Sequence, residues 1–186
     1  MVHDELFKTA FGVSEYASSQ DPKELDRLSY LGTPVLFPIK FKHGNYQVYN
    51  RVSDIEQKAY SDFMLPFSTL VTLRRAKIFK ETKTVGSKGT VKETYGFSDW
   101  SIEMRGVCLN NPNHATAKTA FDQHRILVEW EKIVDAISIE GALFSAKGIR
   151  NIVIKEINFG QLEGQPNKIP FTIRAVSDEP LELILP

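Results

Sequence analysis

Residues 70–109 have the sequence LVTLRRAKIFKETKTVGSKGTVKETYGFSDWSIEMRGVCL, which predicts one long β-hairpin with a polar tip, followed by a core strand. At the carboxyl end of this stretch, Trp100, Ile102 and Met104 alternate with polar residues, the period of a strand with one buried and one solvent-facing side. Residues 80–94 keep the strand propensity but have hardly any apolar side to bury. We therefore expect them to lie either in solvent or against another chain, a choice that separates an assembly protein from a free-standing enzyme.

The composition suits one globular domain, at most with an added arm: of the 186 residues, 42% are hydrophobic and 25% are charged. The 23 basic and 23 acidic residues cancel, whereas a dedicated nucleic-acid-binding protein usually carries a basic surplus. The one cysteine, Cys108, excludes an intrachain disulfide and a zinc site built from several thiolates. Its place in a strand pattern predicts a small buried side chain.

The sequence has no run that approaches the roughly 18–20 apolar residues of a membrane span. Its first residues, MVHDELFKTAFG, lack the apolar core of a secretory signal. We therefore expect a protein that is made in the cytoplasm, does not enter a membrane, and either stays in the cytoplasm or leaves it within a larger assembly.

The first part of the chain contains few clear elements. Residues 2–12 are predicted to form a short amphipathic helix that carries Phe7 and Phe11 on one side. Residues 41–52 have the pattern of a hairpin turned at His43-Gly44-Asn45. Residues 53–67 show no periodicity and are predicted to be a connecting loop.

The last part of the chain has one principal helix. Residues 116–136 carry apolar side chains at helical spacings, among them Phe121, Leu127 and Trp130. A shorter helix is predicted over residues 141–147, and closing strands are predicted over residues 151–159, 171–176 and 181–185. Together the elements predict an α+β fold that is mainly an antiparallel sheet.

No catalytic, cofactor-binding or metal-binding residue is predicted. His114 and His124 do not have the spacing of metal ligands on a helix. Asp99 and Glu103 share one strand face, but the sequence offers no partners that would complete a hydrolase site. The chain also lacks the motifs of serine hydrolases, zinc proteases, P-loop proteins and dinucleotide-binding folds. We therefore expect a protein that is not an enzyme and that uses no cofactor.

The tip of the long hairpin, Gly86-Ser87-Lys88-Gly89, has the form of a glycine loop that could hold a phosphate. Its flanks have strand propensity, so a hairpin turn is the better interpretation. The glycines then supply the positive-φ positions that tight connections require.

A second interpretation is an OB-like module that binds single-stranded nucleic acid. The residues that would stack on bases are Tyr95, Phe97 and Trp100. Those that would contact phosphates are Arg74, Arg75 and Lys77. The zero net charge counts against this interpretation.

Several short segments resemble an uncharacterised family of proteins from tailed phages and prophages, particularly those of Bacteroidetes. The segments are Thr82-Lys83-Thr84, residues 89–93, the strand over residues 100–106, Gly148-Ile149-Arg150-Asn151, and the F-x-I-x-A-x-S-D pattern at residues 171–178. The layout of that family looks like the split β-barrel of tail-tube, distal-tail and baseplate-hub proteins. The resemblance covers about residues 63–186.

The resemblance implies two parts: an N-terminal helical or extended arm over residues 1–62, and a tail-tube-like split β-barrel with an extended hairpin over residues 63–186. It also implies a structural subunit of a phage tail or a contractile injection system. Such a subunit would form a ring at the junction of tube and baseplate, as a tube-to-hub adaptor or a tube initiator. The expected location is the virion tail or baseplate, assembled in the host cytoplasm.

The partners that the resemblance implies are copies of the same chain, in a hexameric ring, together with tail-tube and hub or spike proteins. DNA would pass through the lumen without specific binding. The residues predicted to form the intersubunit interface are Lys83, Val85, Gly86, Lys88, Gly89, Val91, Phe7 and Phe11.

Overall fold

The computed structural model describes residues 38–51, 54–66, 68–83, 86, 88–111, 114, 116–160 and 167–179. Within them the chain forms eleven strands and two helices. In order, these are β1 Lys40–Phe41, β2 Gly44–Arg51, β3 Asp54–Tyr60, β4 Phe63–Met64, β5 Leu70–Arg74, β6 Lys77–Lys83, β7 Thr90–Phe97, β8 Ser101–Leu109, α1 Ala120–Glu131, β9 Ile137–Glu140, α2 Ala142–Ser145, β10 Asn151–Phe159 and β11 Lys168–Ser177.

Seven strands form one sheet in the order β4-β1-β9-β10-β11-β8-β5, and every pairing in it is antiparallel. Two further ribbons, β2–β3 and β6–β7, are separate two-stranded sheets. The prediction of a mainly antiparallel fold with one principal helix is therefore confirmed. Closure of the sheet into a barrel stays a prediction.

The core lies between one face of the large sheet and helix α1. Inward residues of β8 and β11 meet in register, with Met104 opposite Ile173 and Ile102 opposite Ala175, all nearly inaccessible to solvent. Leu127 and Trp130 of α1 belong to the same buried cluster. Cys108 is also buried there, as its sequence context predicts, and desolvation raises the pKa of its thiol to about 12.

Helix α1 is shorter than the predicted range of residues 116–136 because its start is fixed by a cap. The Thr119 hydroxyl accepts from the Asp122 backbone N–H at 3.1 Å and donates to the Asp122 carboxylate at 2.7 Å, a reciprocal capping arrangement. The predicted apolar stripe is only partly right. Phe121 is 66% exposed, and the buried polar residue Gln123 lies inward instead.

Two predictions for residues 41–67 are wrong. The segment 53–67 was predicted to be a loop, but it contains β3 and β4. The hairpin predicted over residues 41–52 does not form either, since β2 pairs with β3 instead of β1. Strand β3 has no apolar period because all its side chains except Tyr60 are exposed.

The described residues before position 62 contribute Ile39, Phe41, Tyr46 and Val48 to the same core as Phe63. The predicted division of the chain into an arm over residues 1–62 and a barrel over residues 63–186 stays a prediction. Strand β10 spans residues 151–159 as predicted, and β11 is longer than its predicted core of residues 171–176. The strand predicted over residues 181–185 lies outside the described residues.

Candidate intersubunit interface

The long hairpin predicted over residues 70–109 forms in two parts. Its root, β5 with β8, is part of the seven-stranded sheet. Among the described residues, its outer part, β6 with β7, pairs only with itself. Between the two parts the regular strand pairing is interrupted. There the Ser98 backbone N–H donates to the Ala76 carbonyl at 2.9 Å. The Arg75 side chain donates to the Ser98 carbonyl at 3.0 Å. We call residues 77–97, which comprise β6, β7 and their connection, the arm.

The arm projects away from the core. Every side chain of β6 is exposed, and in β7 only Thr90 and Gly96 are half-buried. The prediction that residues 80–94 lie outside the core is confirmed for those that the structure describes. An isolated two-stranded ribbon is at best marginally stable in water, so a partner would contribute strongly to its order.

The two faces of the arm differ in chemistry. Residues paired across an antiparallel ribbon share a face, and so do alternate residues along a strand. The register therefore gives one face, which we call the cationic face, the residues Lys77, Phe79, Glu81, Lys83, Lys92 and Phe97. The opposite face, which we call the apolar face, carries Ile78, Lys80, Val91, Glu93 and Tyr95.

Both faces expose large apolar side chains. Phe79 and Phe97 are 53% and 56% exposed on the cationic face, and Ile78, Val91 and Tyr95 are 50–64% exposed on the apolar face. The sequence-based prediction named interface residues at the polar tip and missed the exposed apolar side chains at the base of the arm. Its signal was the pair Ile78-Phe79 facing Tyr95 and Phe97 across the predicted ribbon.

A β-bulge lies at the base of the arm. The register shifts between Ile78 and Phe79, and Gly96 has a φ of +140°, a value that side-chain-bearing residues rarely adopt. Bulges increase the local twist of a ribbon and redirect side chains. This one gives the exposed Tyr95 an unpaired place in the ladder, where its hydroxyl donates to Glu93 at 2.8 Å and the pKa of Tyr95 is raised.

The arm has a surplus of positive charge. Five lysines and two glutamates lie between residues 77 and 97. Glu81 pairs with Lys92 at 3.4 Å, and Glu93 accepts the bond from Tyr95. Among the described residues, Lys77, Lys80, Lys83 and Lys88 make no ion pair, so the arm presents uncompensated lysines.

The predicted interface residues fall into two groups. Lys83, Gly86, Lys88, Gly89 and Val91 are exposed on the arm or at its tip. Gly86 has a φ of +85°, which agrees with the hairpin-turn interpretation of the tip. Val85, Phe7 and Phe11 lie outside the described residues. The interface role of all eight stays a prediction.

The residues of the nucleic-acid interpretation do not form one stacking platform. The Arg75 guanidinium lies over the rings of Phe97 and Trp100, 5.0 and 5.4 Å from their centroids. The Lys147 ammonium lies 5.7 Å from the Trp100 ring. Tyr95 is turned to the opposite face, towards Glu93. Cations of this chain therefore already occupy ring faces on which bases would stack.

The outer face of the large sheet is a charged surface. Glu103 lies 2.8 Å from Arg105 and 3.7 Å from Arg174, and Arg174 also pairs with Glu156 at 3.1 Å. The hydrogen bond from Arg105 lowers the pKa of Glu103 most, with further lowering from the nearby arginines. Glu103 is thus held as a carboxylate, which does not suit a proton donor in hydrolysis.

The histidines singled out by sequence have structural surroundings. His114 is buried, and its Nδ1 accepts from the Ala117 backbone N–H at 3.0 Å, so its Nε2 donates to the Met64 carbonyl, also at 3.0 Å. The His124 ring packs edge-on against Phe159, with centroids 4.4 Å apart. Across the described ranges no group of three or more His, Cys, Asp or Glu side chains could hold a metal ion. None of the helices in these ranges combines the length and apolar character of a membrane crossing.

Three comparisons relate the chain to other proteins. A family model described as "Domain of unknown function (DUF6046)" matches residues 64–186. No curated protein matches the chain. Among solved structures, the chain is similar to one described as "Tail of empty GTA particle computed with helical refinement, C6 symmetry", with 12% identity, a TM-score of 0.38, and coverage of 87% of this chain and 96% of that chain.

Proposed function

We propose that this chain, which belongs to the DUF6046 family, is a structural subunit that assembles into a ring through its arm. The observation that carries the proposal is a ribbon whose outer edges pair with no other described strand and whose two faces expose apolar side chains. Unpaired strand edges are hazards in a monomer, and they become a means of assembly when a neighbour adds to them. Head-to-tail contacts of this kind form closed rings when their rotation closes.

The ring would belong to the tail of a phage or to a contractile injection system. The support for this is the resemblance of the segments around Thr82, Gly89, Gly148 and Phe171 to phage-tail proteins. The same resemblance supports a hexamer at the junction of tube and baseplate, as a tube-to-hub adaptor or tube initiator. Its further partners would be tail-tube and hub or spike proteins, and DNA would pass through the lumen without specific binding.

The large sheet offers a second assembly device. Strand β5 is the edge strand on the side of the arm, and β4, with only two residues, is the edge strand on the other side. Leu70 of β5 is 56% exposed. A neighbour's edge that paired with β5 would bond to the side of β5 that pairs with no described strand, and it would cover Leu70.

The proposal is tested by shortening the arm. Residues 81–92 are replaced by a two-residue Asn-Gly turn, which joins the paired residues Lys80 and Glu93 and leaves β5, β8 and the base of the ribbon in register. We expect the shortened protein to keep its fold, because none of the removed residues that the structure describes belongs to the core. We also expect it to lose ring formation, measured by negative-stain microscopy and by mass from light scattering.

Phe121→Ser is the control variant, since Phe121 is 66% exposed on α1 and is not part of the arm. It should assemble as the wild type does. If the shortened protein forms rings equally well, the arm is not an assembly device. If the wild type forms no rings at all, the proposal that this chain is a ring subunit is wrong.

A further inference from the structure

The outward face of the β2–β3 ribbon carries no charged side chain. Tyr46, Val48 and Tyr60 turn towards the core on the other side of this ribbon. Residues alternate between the two faces of a strand and cross-strand partners share a face, so the register defines the outward set. These residues are all exposed, and we call them the uncharged face: Asn45, Gln47, Tyr49, Ile55, Gln57 and Ala59.

An exposed apolar pair lies on the uncharged face, in a ribbon that is held in place. Tyr49 and Ile55 are cross-strand partners and are 55% and 52% exposed. Along the same strand as Tyr49, the Tyr49 backbone N–H donates to the Lys132 carbonyl at 3.0 Å, and the Gln47 carbonyl accepts from the Val134 N–H at 2.8 Å. The uncharged face is therefore a fixed surface that offers apolar contact and no counter-ion.

The apolar face of the arm complements this surface. It exposes Ile78, Val91 and Tyr95, and its lysine, Lys80, lies directly across the ribbon from Glu93, so its net charge is zero. The cationic face has three lysines and one glutamate. Its surplus charge would be desolvated against the uncharged face without a carboxylate to pair with, which is costly. The charges therefore select the apolar face of the arm as the one that fits.

The two ribbons also match in size. Each consists of one strand of seven residues and one of eight, a length of roughly 23–26 Å at about 3.3 Å per residue. Two sheets that pack face to face lie about 10 Å apart and bury the side chains between them. Such packing would give the arm the second layer that an isolated two-stranded ribbon needs for stability.

The two faces do not cover each other within one copy. The large apolar side chains of both remain at least 50% exposed in the structure. The ribbons also leave the sheet on different sides, because β2 follows β1, next to edge strand β4, whereas the arm connects β5 and β8 at the other edge. Two complementary surfaces on different sides of one subunit are the requirement for a head-to-tail contact.

We infer that the apolar face of the arm of one copy packs on the uncharged face of the β2–β3 ribbon of the next copy. The inference rests on the proposed ring and names the surface that receives the arm. It gives the exposed pair Tyr49 and Ile55 a partner, and it leaves the cationic face, with Phe79 and Phe97, to a further contact.

The first test is cross-linking between two differently tagged full-length copies. One copy carries Gln57→Cys on the uncharged face. The other carries either Thr82→Cys on the apolar face of the arm, opposite Val91, or Lys83→Cys on the cationic face. Thr82 and Lys83 are exposed neighbours, so they form a matched pair. The natural Cys108 is buried with a raised pKa and should not react with a bifunctional maleimide.

We expect several-fold more product between tagged copies with Thr82→Cys than with Lys83→Cys. Equal yields at the two positions, or no product while rings still form, would overturn this inference and leave the ring intact. Product confined to single copies that carry both Gln57→Cys and Thr82→Cys would also overturn it. A parent protein that forms no rings would instead remove the proposed function, and this inference with it.

A second variant tests the uncharged face without cross-linking. Ile55→Lys places a charge where the inference requires an apolar contact, so the protein concentration at which rings form should rise at least about tenfold. Phe121→Lys is the matched control, since it puts the same charge at an exposed apolar position outside the uncharged face, and it should assemble as the wild type does. Unchanged assembly of Ile55→Lys would show that the arm docks on another surface.

Discussion

The two ribbons of this molecule, β2–β3 and the arm, have similar lengths but different sources of stability. The β2–β3 ribbon turns Tyr46 and Tyr60 onto the buried Trp130, with ring centroids 5.7 and 4.9 Å away. Lys58 pairs with Glu129 of α1 at 2.7 Å, and the Tyr60 hydroxyl donates to the Glu129 carbonyl at 3.0 Å. The arm has no comparable contact with a core residue among those described.

The difference shows that exposure along a strand does not identify an assembly element. Strand β3 is as polar and as exposed as β6, yet its ribbon is anchored by one inward residue, Tyr60, and by Tyr46 and Val48 of its partner. What distinguishes the arm is that its described residues include no such anchor and expose apolar side chains on both faces. The following variants test this contrast.

Trp130→Ala should have the largest effect on the fold. Trp130 is 1% exposed and lies against Phe41, Tyr46 and Tyr60. Removing a buried tryptophan side chain costs about 3–5 kcal/mol of the free energy of unfolding. Urea denaturation should show that loss, and hydrogen exchange should show the β2–β3 ribbon opening. A stability equal to that of the wild type would mean that the ribbon is not anchored through Trp130.

A change to the contact between His43 and Asp62, which flank the β2–β3 ribbon, should affect the free energy of unfolding less than Trp130→Ala does. The His43 backbone N–H donates to Asp62 at 2.6 Å and the His43 ring lies 2.8 Å from the same oxygen, which lowers the pKa of Asp62 to about 2 from 3.8. Because the folded pKa lies below the unfolded one, this stabilisation is present above about pH 4 and is lost as the pH falls towards 2.

The variant Asp62→Asn removes this titration. The free energy of unfolding of the wild type should fall more steeply between pH 4 and 2 than that of the variant, as measured by urea denaturation at each pH. The carboxylate is solvent-exposed, so the difference should shrink in high salt. Parallel pH profiles would show that the contact with His43 does not stabilise the fold.

Phe79→Ala should have the smallest effect on the isolated subunit. Its side chain is 53% exposed and belongs to no core cluster, so the free energy of unfolding should change by no more than about 0.5 kcal/mol. Ring formation should nevertheless weaken. A destabilisation as large as that of Trp130→Ala would show that the arm packs on its own subunit, and the contrast between the two ribbons would fail.

The sequence predicted correctly those strands in which the alternation of apolar and polar residues matches the alternation of buried and exposed side chains. The alternation from Trp100 onward predicted a core strand, and β10 was found over its predicted residues. The loop interpretation of residues 53–67 failed because β3 is defined by pairing with β2, and a strand with nearly all side chains in solvent leaves no apolar period.

Helix α1 illustrates the same limit at single residues. Phe121 completes the apolar stripe by spacing, yet it is exposed, while Gln123 is buried because its amide bonds to both backbone groups of Leu109 and to the Ala117 carbonyl. These partners come from a neighbouring strand and turn. The exposed apolar base of the arm was missed for a related reason: its signal, Ile78-Phe79 across the ribbon from Tyr95 and Phe97, is the same signal that a pair of core strands would give.

The lysines of the arm also affect the subunit before it meets any neighbour. Two free ribbons with open edges could stack strand to strand into uncontrolled polymers, but each arm carries five lysines, and like charges brought edge to edge repel. The bulge at Ile78 and Phe79 further spoils a flat pairing surface. We therefore expect these lysines to disfavour pairing of one arm with another until an oppositely charged surface neutralises them.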